Sequence, residues 1–254
     1  MKKQALVTGA LGLLGKEHIC ALSELGFEVV ATDIHQETQF FDDIHGSVVY
    51  RKMDITSQND IKDVSDEFEI EVLINNAAIN PTVDMKGLNS RNNLETFSLS
   101  QLKSEIDVGL IGATLCAKYF GHKMYCRGNG NIINIASDLS VLSPKQSLYN
   151  EENVNFLDRE VKPVTYSIIK HGLIGLTKYL ATYWDGVVRC NALSPGGVHT
   201  NQPASFIDKI STEIPLKRMA KKSEYREALK FLAGDGSAYM NGHNLVIDGG
   251  RSIW

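Results

Sequence analysis

Short apolar runs alternate with segments of helical periodicity along the whole chain. The apolar runs predict seven strands, at residues 4–8, 27–33, 47–54, 72–76, 131–137, 187–193 and 245–248. Apolar positions three and four apart predict helices at residues 13–25, 61–68, 102–125, 166–183 and 223–233. Strands that are continuous apolar blocks are buried on both faces, as in parallel sheets covered by helices. The pattern therefore predicts one doubly wound α/β domain over residues 1–254, with a mostly parallel sheet.

Two segments interrupt this alternation. Residues 138–163 are polar and irregular and include Pro144, Asn150 and Asn153, and residues 200–222 separate a strand from the last helix. Long irregular segments in a compact domain are usually lids, binding loops or disordered connections. No repeat, low-complexity tract or linker divides the chain further.

Composition narrows the classes of partner. The chain is 43% hydrophobic and 22% charged, with a net charge of −4 and no long run of either sign. This balance favours an ordinary globular protein and disfavours a nucleic-acid or membrane-surface partner. Lys2 and Lys3 precede an apolar stretch, but Gly9 and Gly12 interrupt it, so we interpret it as a first strand rather than a signal peptide. No segment approaches the ~20 apolar residues of a membrane span.

The four cysteines, Cys20, Cys116, Cys126 and Cys190, lie far apart and form no CxxC pair. We therefore expect buried free thiols in a reducing cytoplasm rather than disulfides or a zinc site. The histidines His171, His199 and His243 show no metal-ligand spacing either, so no metal is expected. Of these, His199 lies between Val198 and Thr200 in the sequence.

A glycine-rich segment, Thr8 to Gly15, follows the first predicted strand and opens the first predicted helix. Glycines there allow a tight turn and a close backbone approach to a pyrophosphate, which the free N–H groups of a helix N-terminus attract. Asp33 ends the second strand, where a carboxylate can accept hydrogen bonds from ribose hydroxyls and repel a 2′-phosphate. No Arg or Lys lies between Gly26 and Tyr50. The sequence thus favours NAD over NADP.

Further short motifs occur in a fixed order along the chain: Asp54-Ile55-Thr56, Asn75-Asn76-Ala77-Ala78, Ser137, Tyr166-Ser-Ile-Ile-Lys170, Asn191, Pro195-Gly196 and Asp248-Gly249-Gly250. With the glycine segment, they resemble the short-chain dehydrogenase/reductase family over essentially the full length. The resemblance implies an NAD(P)-dependent oxidoreductase acting on CH–OH groups. It also implies cofactor contacts from Gly9, Leu11, Gly12, Leu13, Leu14, Asp33, Asp54, Ile55, Asn76, Ala77, Ala78, Tyr166, Lys170, Pro195, Gly196, Val198 and Thr200.

A closer resemblance concerns a bacterial subset of flagellin-modification and surface-polysaccharide oxidoreductases. Residues 108–110, 170–177 and 195–198 are similar to that subset, which would imply a sugar or sugar-phosphate substrate. Fold and cofactor motifs alone do not identify a substrate.

The chain departs from the family pattern in two places. The glycines follow the Thr-Gly-x-x-Gly-x-x-Gly spacing of nucleotide-sugar epimerases and dehydratases, although those relatives usually carry a larger C-terminal substrate domain. Gly109 stands where most members place an asparagine that holds a water of the proton relay, so Gly109 receives no catalytic role.

Tyr166 and Lys170 are the predicted acid–base pair. A separation of four residues places both on one face of a helix. Because a lysine ammonium favours a nearby phenolate, it lets tyrosine act as a base below its usual pKa of ~10. Ser137, at the end of its strand, would hydrogen-bond the substrate oxygen.

Ser137 and Tyr166 are about twice as far apart in sequence as the family usually has them. The excess falls in residues 138–163, which we interpret as an insertion over the active site, with residues 200–222 as a substrate lid. Tyr149 lies nearer the usual distance, but Asn153 occupies its i+4 position and cannot replace the lysine. Tyr166 is therefore preferred.

Two alternatives remain open: a nucleotide-sugar epimerase or dehydratase-like enzyme, and a non-catalytic cofactor sensor. A sensor would be expected to lack the tyrosine or the lysine. The family habit implies a homodimer or homotetramer, with the helices at residues 102–125 and 166–183 as interface candidates. A polar, sugar-like molecule is the expected substrate.

Overall fold

Seven parallel strands form a single sheet within the residues that the computed structural model describes, 2–36, 41–79, 93–150 and 154–254. The strands are β1 Gln4–Thr8, β2 Glu28–Asp33, β3 Ser47–Lys52, β4 Ile70–Asn75, β5 Gly130–Ile135, β6 Val188–Pro195 and β7 Asn244–Ile247. They lie in the order β3-β2-β1-β4-β5-β6-β7, and every neighbouring pair is parallel. The predicted single doubly wound domain is confirmed.

Helices cover both faces of the sheet. In the described ranges they are α1 Gly15–Glu24, α2 Gln58–Glu67, α3 Leu99–Ile106, α4 Ala113–Cys116, α5 His122–Arg127, α6 Val164–Tyr183, α7 Ala204–Thr212 and α8 Arg226–Ala233. Two π-helical turns, Asp107–Gly112 and Ala117–Gly121, join α3, α4 and α5 into one continuous helical segment. This segment corresponds to the long helix that the periodicity predicts.

Alternation along each strand divides the core into two apolar layers. Leu6 of β1 packs with Phe120 and the other buried side chains on the face of α2, α5 and α6. Ala5 and Val7 point to the opposite face and pack with Ile19 of α1 and Leu229 of α8. Burial on both faces explains why the strands lack a polar alternation.

The helix α7 was not predicted, because residues 200–222 were interpreted as irregular. Pro203 precedes its first turn, and Phe206 and Ile210 lie four residues apart and are both buried. They pack against Leu148 of the insertion, in a small apolar cluster apart from the main core. A short amphipathic helix is stabilised by such a partner more than by its own sequence.

The cysteines are free thiols, as expected, but their burial differs. Cys116 and Cys190 are buried, whereas Cys20 is partly buried and Cys126 is exposed, so the expected burial is wrong for the last two. In the part of the chain that the structure describes, no helix is long and apolar enough to cross a membrane.

Candidate active site

The strand order reverses between β1 and β4, and parallel sheets bind ligands in the crevice at such a point. A cavity of about 910 Å³ opens there, at the carboxyl ends of the strands. The cavity is lined by all the residues predicted above to have a catalytic or cofactor-binding role: Gly9, Leu11, Gly12, Leu13, Leu14, Asp33, Asp54, Ile55, Asn76, Ala77, Ala78, Ser137, Tyr166, Lys170, Pro195, Gly196, Val198 and Thr200.

The glycine segment forms a tight turn between β1 and α1. Gly9 has a φ of +61°, and a Cβ atom there would lie 2.6 Å from the Cα of Ala77. The N–H of Gly12 donates to the carbonyl of Gly9 at 3.0 Å, and the N–H of Gly15 donates to that of Gly12 at 3.1 Å. Only glycine fits at position 9, because the turn lies directly on the segment that follows β4.

The same turn is fixed to β4 by polar contacts. The amide Nδ2 of Asn76 donates to the carbonyls of Thr8, at 3.0 Å, and Gly9, at 2.8 Å. The hydroxyl of Thr8 accepts from the backbone N–H groups of Asn76, at 3.0 Å, and Ala77, at 3.1 Å. These hydrogen bonds therefore hold the glycine turn after β1 and the segment after β4 together on one side of the cavity.

Asp33 lies at the end of β2, with its carboxylate held at the rim of the cavity. Its Oδ2 accepts from the N–H of Leu11 at 3.1 Å, and its Oδ1 accepts from the N–H of His35 at 3.1 Å. The residue is only 9% exposed. A carboxylate oriented in this way can accept further hydrogen bonds from hydroxyl groups and would repel a phosphate.

Ser137, Tyr166 and Lys170 meet at the other end of the cavity. Lys170 donates from Nζ to the carbonyl of Ile135 at 2.8 Å, and its Nζ lies 5.7 Å from the centroid of the Tyr166 ring. Burial raises the pKa of Tyr166 to about 12, although a hydrogen bond with Ser137 acts in the opposite direction. Burial, together with the charge of Lys162, lowers the pKa of Lys170 to about 8. At neutral pH the lysine is therefore still mostly an ammonium ion beside the buried phenol.

A family profile described as short chain dehydrogenase matches residues 3–150. The chain belongs to the short-chain dehydrogenase family. A second profile, described as enoyl-(acyl carrier protein) reductase, matches residues 158–252. The family uses nicotinamide cofactors, and its members are oxidoreductases.

Relatives in this family include enzymes that act on sugar derivatives. The D-threitol dehydrogenase of Mycolicibacterium smegmatis is 31% identical, over 99% of this chain and 93% of its own. A short-chain dehydrogenase of Leptospira borgpetersenii, solved with bound NAD+, superposes with a TM-score of 0.85 at 28% identity, covering 100% of this chain and 94% of its own. A gluconate 5-dehydrogenase of Burkholderia cenocepacia, solved with NADP and tartrate, gives 0.84 at 26% identity, with 100% and 97% covered. These relatives lend no support to the flagellin-modification subset, which stays a prediction.

Gly109 departs from the family pattern for a steric reason. It lies in the π-helical turn Asp107–Gly112, and a Cβ atom there would lie 2.8 Å from Cγ2 of Ile169 on α6. The space beside Gly109 is thus filled by the apolar side chain of Ile169. An asparagine at this position would collide with Ile169.

Asp138 and Arg251 form a buried ion pair that sequence analysis missed. Asp138 follows Ser137, and its Oδ1 accepts from the Ser137 hydroxyl at 2.9 Å and from the N–H of Leu139 at 2.9 Å. Its Oδ2 lies 2.7 Å from Nη1 of Arg251, and the two side chains are 4% and 8% exposed. No sequence motif joins these residues, which are 113 positions apart.

The predicted insertion and lid lie against each other beside this cavity. Tyr149 lines the cavity and packs on Phe206 of α7, with ring centroids 5.5 Å apart. Lys145 of the insertion forms an ion pair with Glu213 at 2.7 Å. Asn153, which argued against Tyr149 as the base, lies outside the described residues. Whether these segments act as insertion and lid stays a prediction.

Proposed function

We propose that this short-chain dehydrogenase transfers a hydride between NAD and a secondary alcohol or ketone of a sugar-like substrate. One observation carries the proposal: Ser137, Tyr166 and Lys170 meet in the same cavity as the glycine turn and Asp33. A cofactor held at the turn and Asp33 would extend toward the three polar side chains.

The residues present fit a dinucleotide. Gly9, Leu11 and Gly12 of the glycine turn line the cavity, where the backbone of the turn and the start of α1 could receive a pyrophosphate. Asp33 would bind the adenosine ribose, and the stretch from Pro195 to Thr200 would hold the carboxamide end. Asp33 supports NAD, because its partly buried carboxylate would meet the 2′-phosphate of NADP.

Nicotinamide supplies the hydride acceptor or donor for the carbon of the substrate. In the oxidation, Oη of Tyr166 would accept the proton of the substrate hydroxyl. The carbon that bears this hydroxyl would give its hydride to the nicotinamide. Lys170 stabilises the phenolate that this step requires. The hydroxyl of Ser137, which donates to Oδ1 of Asp138 in the structure, would turn its single proton to the substrate oxygen when substrate binds.

A polyhydroxylated substrate suits the lining. The cavity carries Asp138, Tyr149, Lys162, Asn201 and Gln202 beyond the catalytic side chains, so many hydroxyl groups can be satisfied after water leaves. The names of the relatives reported above, a threitol and a gluconate dehydrogenase, support the same class.

The test is turnover of a panel of tetritols, aldonates, sugar phosphates and nucleotide sugars with NAD and NADP, followed by the absorbance of the reduced nicotinamide and by chromatography of the sugar products. NAD-dependent turnover of a polyol or sugar acid is expected. Isomerisation of a nucleotide sugar, without net change of added NAD, would replace the proposal with an epimerase. Cofactor binding without turnover of any compound would favour a sensor.

A further inference from the structure

A second lysine approaches the candidate base. Lys162 lies directly before the N-terminus of α6, and its Nζ is 3.9 Å from the centroid of the Tyr166 ring. This distance is shorter than the 5.7 Å from Lys170 to the same centroid. An ammonium group within about 6 Å of an aromatic ring is attracted to its face.

The backbone of Lys162 is held by Gln146, another residue of the predicted insertion. The side-chain Oε1 of Gln146 accepts from the N–H of Lys162 at 2.9 Å, and its Nε2 donates to the carbonyl of Lys162 at 3.3 Å. This two-way contact holds the start of α6 in register with the insertion. Gln146 therefore fixes the backbone position from which the Lys162 side chain extends.

Among the described residues, the carboxylates of Asp138 and Glu105 act on Lys162 from different elements. Asp138 belongs to the turn after β5, and Glu105 lies on α3, where it is 4% exposed and accepts hydrogen bonds from Thr165 and from Gln101. Burial lowers the pKa of Lys162 to about 8, while Asp138 and Glu105 oppose that change. At neutral pH Lys162 is therefore mostly protonated.

Two ammonium groups thus approach one tyrosine. The charge of Lys162 also acts on Lys170, and such like charges in a partly buried site repel each other. A negative charge on the phenolate oxygen of Tyr166, which lies near both ammonium groups, would offset this repulsion. Among the described residues, Asp138 and Tyr149 also face Tyr166, and Arg251 neutralises Asp138.

We propose that Lys162 is a second positioning residue of the active site, which holds the Tyr166 ring and stabilises its phenolate form together with Lys170. At Gly109, where the family resemblance leads one to expect an asparagine, Ile169 fills the space that its side chain would need. The inference rests on the proposed role of Tyr166 as the base.

The test is an ultraviolet titration of tyrosinate with saturating NAD, which needs no substrate. Each enzyme is compared with its own Tyr166→Phe variant, so that the difference reports Tyr166 alone. Lys162→Met is expected to raise the apparent pKa of Tyr166 by about one unit or more, since an opposite charge at this range has such an effect. Lys162→Arg retains the charge and is expected to restore most of the shift. Lys3→Met is the control, because Lys3 is exposed and lies directly before β1, at the end of the strands opposite the cavity.

Equal titration curves for the wild type and Lys162→Met, with both folded by circular dichroism, would overturn the inference. So would a Lys162→Arg variant whose titration curve matches that of Lys162→Met, because the charge at this position would then make no difference. Tyr166→Phe activity tests the proposed function separately. If that variant is inactive while the curves coincide, only the role of Lys162 fails.

Discussion

Nη1 of Arg251, near the C-terminus, lies 2.7 Å from Oδ2 of Asp138, the residue that orients the hydroxyl of Ser137. Both partners are almost fully buried, so neither charge can be solvated if the other is removed. The end of the chain is thereby tied to the turn that carries the candidate oxygen-binding serine.

Arg251→Met is expected to lower the free energy of unfolding by about 3 kcal/mol, because it leaves the Asp138 carboxylate buried without its partner. Adding Asp138→Asn should recover part of the loss. Urea unfolding measures both. Lys62→Met, which removes a surface pair with Asp66, is the control and should change little. Additive losses in the double variant would contradict this view of the pair.

Tyr166→Phe is expected to lower kcat by about 10²–10⁴-fold, the usual contribution of a general acid–base group. Binding of NAD should be nearly unchanged, since only the phenolic oxygen is lost. Steady-state kinetics and calorimetric titration measure the two effects. Tyr239→Phe makes the same change at a fully exposed position and should retain full activity. Substantial turnover by Tyr166→Phe would show that another group is the base.

NAD is expected to bind at least about 10-fold more tightly than NADP, because a like-charge contact with Asp33 costs more than one factor of ten in affinity. Asp33→Asn should narrow this ratio, mainly by improving the binding of NADP. Calorimetric titration with both cofactors measures it. Asp42→Asn, at an exposed position between β2 and β3, should leave the ratio as it is. Equal affinities in the wild type would rule out the role of Asp33.

Gly109→Ala is expected to destabilise the fold by about 1–3 kcal/mol, because the added Cβ atom would lie 2.8 Å from Ile169. The same substitution at Gly175 of α6 meets no atom within 4 Å and should be neutral or stabilising. Thermal and urea unfolding measure both. The effect of Gly109→Ala should shrink in an Ile169→Ala background; an unchanged effect there would mean that Ile169 is not the obstacle.

The stability of the protein is expected to fall as the pH decreases from about 6.5 to about 4. His18 on α1 is completely buried, and this burial lowers its pKa to about 4, while the neighbouring Asn76 acts in the opposite direction. Histidine has an ordinary pKa of ~6.5, so below this pH His18 is protonated in the unfolded chain. In the folded protein it stays neutral until the pH approaches 4. The folded state can lose roughly 3 kcal/mol across this window.

Comparison of the wild type with His18→Gln by urea unfolding at several pH values isolates this contribution. The variant should show the weaker pH dependence between pH 6.5 and pH 4. His45→Gln, at an exposed position, should follow the wild type. Parallel curves for His18→Gln and the wild type would exclude His18 as the cause.

The sequence by itself determined the sheet, the glycine turn and the spacing of Tyr166 and Lys170. These features are local: continuous apolar runs bury a strand on both faces, a glycine marks a turn that no side chain fits, and four residues make one helical turn. Local structure of this kind can be predicted from neighbouring residues, without knowledge of contacts between distant parts of the chain. The order of the motifs along the chain was enough to place eighteen residues in one cavity.

The tertiary structure alone decided what surrounds those residues. The ion pair of Asp138 and Arg251 joins positions 113 residues apart, and the helix α7 forms against Leu148 from the insertion. Lys162 became part of the site because Gln146 and the start of α6 bring it to the Tyr166 ring. Such contacts depend on packing between elements that are distant in sequence. The residues next to a side chain in the sequence do not indicate which distant residue it will contact.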